Sequence, residues 1–137
     1  MFYCEILSGL WVGDVGIAMN DKFIKDNDIS IILNCTATFE FTSLNLKKIR
    51  LPFSDLFDQS KDVELLKENK TKLCMFIKNN ILENNILICC YDGKTISPLI
   101  CGLYIKEYSK IKTKSIYPIL LEKDNSFRLW LDLDLFG

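Results

Sequence analysis

One stretch constrains this chain more than any other: Asn85 to Ser97, reading Asn-Ile-Leu-Ile-Cys-Cys-Tyr-Asp-Gly-Lys-Thr-Ile-Ser. Ile86 to Cys89 is a short apolar run that fits a buried strand, and Ser97-Pro98 opens an apolar segment long enough for a helix. Between them lies a tight loop holding a thiol, Cys90, and a glycine, Gly93. A loop set between a strand end and a helix N-terminus gathers backbone N–H groups into one space, with the positive end of the helix dipole behind them. That arrangement suits an anion and places Cys90 at its mouth as a sulfur nucleophile. The competing reading is a strand that ends in two core cysteines, because free cysteine is among the most buried residue types.

The chain has 137 residues, 49% of them apolar, which is the size and composition of one globular domain spanning 1–137. No apolar run approaches the roughly 18 residues of a membrane span. Glu5 and Gly9 interrupt the opening stretch where a signal peptide needs continuous apolar residues. A soluble cytoplasmic protein is the expectation. The net charge of −1 gives no electrostatic reason for nucleic acid or a membrane as partner. Of 17 basic residues only Arg50 and Arg128 are arginine. The accompanying lysine, isoleucine and asparagine bias is what AT-rich genomes impose, those of large viruses and some protists among them.

The six cysteines include no Cys-x-x-Cys pair and the chain has no histidine, so neither a zinc site nor another cofactor is expected. Free thiols in a reducing compartment fit best. Triplets at Asn34 and Asn69 match the glycosylation pattern, which is short enough to arise by chance.

In chain order, Glu5 to Val12 reads as one or two strands broken at Ser8-Gly9, and Val15 to Lys25 as a short helix. Ile29 to Leu33 is a β-branched run expected to form a buried central strand. Leu46 to Leu51 alternates apolar and basic residues, as a strand with one wet face does. The loop from Pro52 to Asp58 offers two carboxylates among apolar neighbours, where an acid could protonate a leaving group. Ser60 is placed to cap a long helix, or a pair of shorter ones, reaching Ile81. After the central loop come a helix to about Lys110, another over Ile116 to Leu121, and a terminal helix built on Leu129, Trp130, Leu131, Leu133 and Leu135. Alternating strands and helices followed by helices alone predict an α/β fold: a small central sheet of four to five strands covered by helices.

These pieces together resemble the dual-specificity phosphatases, the small branch of the protein tyrosine phosphatase superfamily, over nearly the whole chain. Ile6 to Gly13 is similar to that family's first strand, and Ile31 to Thr36 to its aliphatic strand ending in asparagine. Leu51-Pro52-Phe53-Ser54-Asp55 resembles the strand and loop that carry the general acid, which the resemblance assigns to Asp55. Asn125-Ser126-Phe127 is a weaker echo of the segment before the last helix. The family's active loop reads His-Cys, two variable residues, Gly, two more, then Arg-Ser. Here the run is Cys89-Cys90-Tyr91-Asp92-Gly93-Lys94-Thr95-Ile96-Ser97. The resemblance implies that Cys90 stands at the nucleophile position and that Gly93, Thr95 and Ser97 are in register.

Two positions depart from the family. Cys89 replaces its histidine and Ile96 its arginine, the residue that grips the phosphoryl oxygens. An isoleucine offers neither donor nor charge, and losing an arginine clamp on a transferring phosphoryl group costs about 1,000- to 100,000-fold. Lys94 is a point charge on a flexible stem and no substitute for a planar fork. Asp92 opposes an entering dianion if it faces inward. The resemblance therefore implies a pseudophosphatase that binds a protein partner, phosphorylated or not. A residual phosphatase acting on phosphotyrosine, phosphoserine or phosphothreonine through Cys90 and Asp55 is the alternative. A thiol switch pairing Cys90 with Cys89 or Cys35 is a third. A prediction that complements the residual-phosphatase reading is that Ile96→Arg with Cys89→His restores some activity.

Overall fold

The computed structural model describes residues 1–54 and 59–136. Its strands are β1 (Tyr3–Leu7), β2 (Leu10–Gly13), β3 (Ile29–Asn34), β4 (Lys47–Arg50) and β5 (Asn85–Cys89). They form one sheet in the order β1-β2-β5-β3-β4, antiparallel between β1 and β2 and parallel elsewhere. The helices are α1 (Val15–Ala18), α2 (Asp21–Asp26), α3 (Gln59–Asn80), α4 (Ser97–Tyr108) and α5 (Thr113–Lys123). The α/β architecture and the strand count agree with the sequence reading.

β5 is the middle strand, and its residues from Ile86 onward are buried. A parallel strand covered on both faces must be apolar throughout, which is why Ile86 to Cys89 carries no alternation. Its side chains nevertheless divide by parity. Ile86, Ile88 and Cys90 join the larger core with Leu66, Ile77, Leu99 and Leu103, beneath α3, α4 and α5. Leu87 and Cys89 join a smaller core with Ile17, Ile24 and Ile32, beneath α1 and α2. Helix α4 is buried on every side from Ser97 to Ile105, as an all-round apolar helix must be. Pro98 in its first turn removes an N–H that had no helical partner to lose.

Three expectations need correction, and one choice between alternatives is decided. The segment Val15 to Lys25 is two helices, because Asp14 caps α1 through Ile17 N–H and Asn20 starts α2 by accepting from Phe23 N–H. α3 is one continuous helix of 22 residues. It begins at Gln59, so Ser60 lies inside its first turn and is not its cap. The terminal helix is absent: only Leu133–Phe136 coils, as a 3-10 turn. The leucines at 129, 131, 133 and 135 recur at a period of two, an extended-chain spacing. Arg128 and Trp130 spend their backbone donors on the central loop, as described below. Among the described residues, no helix is long and apolar enough to cross a membrane.

Candidate functional site

β2, β5 and β3 reach their carboxyl ends in register, with Gly13 and Asn34 both opposite Cys89. In open α/β sheets this edge is where ligands bind. Cys90 N–H donates to Gly13 O at 3.2 Å and Cys35 N–H to Cys89 O at 2.8 Å, so the sheet holds the chain up to the thiol. The loop then turns through Gly93, whose φ of +74° lies in the left-handed region. A Cβ on Gly93 would stand 2.6 Å from Gly13 C and 2.8 Å from Asp14 N, so the loop is pressed against backbone where only glycine fits. From behind, Arg128 N–H donates to Lys94 O at 2.9 Å and Trp130 N–H to Thr95 O at 3.2 Å.

Cys90 does not sit at the mouth of this loop, as the sequence had placed it. Its side chain is fully buried at the floor. Sγ accepts from Ser97 N–H at 3.4 Å, and the thiol donates to Asp92 Oδ1 at 3.7 Å. The same Oδ1 accepts from Lys94 N–H at 2.8 Å and from the Thr95 hydroxyl at 3.1 Å. Asp92 therefore turns one oxygen into the loop. The Ser97 hydroxyl is buried with no hydrogen-bond partner.

No guanidinium reaches this space from the described residues. Ile96 is fully buried and belongs to the larger core with Phe53 and Leu99. Arg50 is spent on Thr36 O at 2.8 Å and Phe39 O, and its guanidinium lies over the Phe41 ring. Arg128 donates to Asn125 O and Phe127 O. The Lys94 ammonium lies 4.9 Å from the centre of the Phe2 ring. Cys89, at the position of the family's histidine, points to the opposite face of the sheet from Cys90.

Asp55, with the rest of the carboxylate loop at 55–58, lies outside the described residues. At the last described residue before it, Asp62, buried at the start of α3, accepts from both Ser54 N–H at 3.1 Å and the Ser54 hydroxyl at 2.5 Å. Tyr91 adds a strap, its hydroxyl donating to Phe53 O at 2.9 Å and accepting from Ala37 N–H at 3.2 Å, with the Phe39 ring edge-on at 5.7 Å. Sequence reasoning missed the roles of Asp62, Phe2 and the Tyr91 hydroxyl. Only Asp62 left a trace, as an acid in a helix's first turn.

Burial holds four of the other five thiols in the un-ionised form. Burial pushes the Cys89 thiol up to about 12 and that of Cys74 to about 11, and it raises Cys35 and Cys101 well above the usual range. At pH 8 a thiol at 12 is ionised in about one molecule in ten thousand, and the thiolate is the reactive form. Alkylation of the native protein with iodoacetamide at pH 8 should leave Cys35, Cys89 and Cys101 unmodified by mass spectrometry. Rapid modification of Cys89 or Cys35 without unfolding would revive the thiol-switch reading.

Neither a family model nor a curated protein matches this sequence. Solved structures do. Human DUSP28 superposes with a TM-score of 0.83 at 11% identity, over 98% of this chain and 91% of that one. The human tyrosine phosphatase-like serine/threonine/tyrosine-interacting protein gives 0.80 at 18% identity, over 98% and 94%. A leucine rich repeat and phosphatase domain containing protein from Entamoeba histolytica gives 0.77 at 19% identity, over 98% and 89%. Identities this low carry the backbone and not the chemistry, and the backbone agrees from β1 to the closing turn: the chain has the dual-specificity phosphatase fold.

Proposed function

We propose that this chain is a catalytically impaired dual-specificity phosphatase-like domain that acts by binding a phosphoprotein or another protein partner. The observation that carries this reading is the burial of Ile96 in the core, at the loop position where the family's motif holds its arginine. Phosphoryl transfer relies on positioning and on charge stabilisation by a clamp of this kind. The described residues supply none, since Arg50, Arg128 and Lys94 are all directed elsewhere. What the loop retains is shape: the strand end, the left-handed glycine and the helix start. One of the structures it resembles is itself named phosphatase-like and interacting. Six free cysteines fit a reducing, cytoplasmic setting.

Assay with an aryl phosphate tests the reading. Turnover is expected at least about 1,000-fold below that of a phosphatase with an intact arginine clamp, and unchanged by Cys90→Ser. Turnover near the active range that Cys90→Ser abolishes would overturn it in favour of the residual phosphatase working through Cys90 and Asp55.

A further inference from the structure

We propose that Asp92 is a built-in occupant of the anion loop, its carboxylate taking donors that a phosphoryl group would need. The inference rests on the phosphatase-like reading of the loop, but not on whether catalysis is lost. Asp92 Oδ1 collects three donors at once: the Cys90 thiol, Lys94 N–H and the Thr95 hydroxyl. The first belongs to the residue at the nucleophile position, and the other two to residues on the turn leading into α4. An oxygen anion held over that thiol by those donors does locally what a bound oxyanion would do. Cys90 is left with no exposed surface beneath it.

A second observation agrees. The Ser97 hydroxyl is fully buried and has no hydrogen-bond partner, although the same residue's N–H touches Cys90 Sγ. Buried hydroxyls are nearly always paired, so a polar group beside Cys90 goes unused while Lys94 N–H and the Thr95 hydroxyl are taken by Asp92. Asp92 is itself exposed, so on this proposal its carboxylate caps the loop from the solvent side. A phosphoryl group enters only by displacing the carboxylate.

Titration of the folded protein with inorganic phosphate, followed through the Lys94 and Thr95 amide signals by NMR, separates plugging from simple repulsion. Asp92→Ala removes charge and occupant together. Asp92→Asn removes the charge but keeps an oxygen of the same reach for the same donors. Expected is a phosphate affinity for the alanine variant about tenfold or more above wild type, with the asparagine variant well below alanine. Asp92→Ser serves as a second opening variant should alanine fold poorly. Equal gains for alanine and asparagine would overturn the proposal in favour of charge repulsion alone. No gain in a folded alanine or serine variant would overturn it outright, while leaving the aryl-phosphate result for wild type untouched. As an independent readout, alkylation of Cys90 should speed up in Asp92→Ala, and an unchanged rate would count against a carboxylate lid.

Discussion

Gly93→Ala is expected to lower the melting temperature by roughly 6–20 °C, since each kcal/mol shifts a domain of this size by about 3–4 °C. Two costs add. A non-glycine residue held at a φ of +74° pays about 1–2 kcal/mol for the left-handed conformation. The new methyl would also overlap Gly13 C at 2.6 Å and Asp14 N at 2.8 Å. Both are main-chain atoms tied into β2 and the α1 cap, so relief means moving a strand end, a strain of about 1–3 kcal/mol. Gly16→Ala is the matched control. There the methyl would meet the flexible Met1 side chain at 3.0 Å, inside a helix, and the melt should move by no more than a few degrees. Thermal unfolding followed by circular dichroism decides it, and a Gly93→Ala protein melting within a few degrees of wild type would show that the loop does not press on Gly13.

Ile96→Arg, the change that would reinstate the motif's missing cation, is expected to cost about 3–5 kcal/mol in urea denaturation and to bring no turnover. Ile96 has no exposed surface and sits in the larger core. Its removal forfeits about 1.5–3 kcal/mol of apolar burial, and an unpaired guanidinium in its place adds desolvation. Adding Cys89→His does not help, because Cys89 is buried in the smaller core on the other face. We therefore expect this pair of changes to restore no activity, contrary to what the sequence alone suggests. Unchanged stability with measurable aryl-phosphate turnover would mean that the arginine leaves the core and reaches the loop, displacing Asp92.

The strands were legible because each one is a short β-branched or alternating run bounded by glycine, proline or asparagine. Ile29–Asn34 and Asn85–Cys89 needed nothing more. The loop was legible for a similar reason: strand, thiol, glycine and Ser-Pro helix start follow one another in thirteen residues. What failed to show was direction. Whether Asp92 faces in or out, and whether Ile96 lines the loop or the core, depends on rotations set by packing against Gly13 and Phe53, far away in sequence. The closing segment was misread for the same reason. Its leucines can satisfy a helix on paper, but the carbonyls of Lys94 and Thr95 draw Arg128 and Trp130 into an extended path.

That extended path also ties the loop to distant sequence. The loop's walls come from opposite ends of the sequence, with Phe2 against Lys94 on one side and Arg128 and Trp130 behind it. A nascent chain that has emerged only to Ser97 owns the thiol, the glycine and the carboxylate but has no back wall. The loop's rear contacts therefore depend on residues more than thirty positions further along the chain, so the thiol, glycine and carboxylate are contiguous in sequence while the wall that holds them is not.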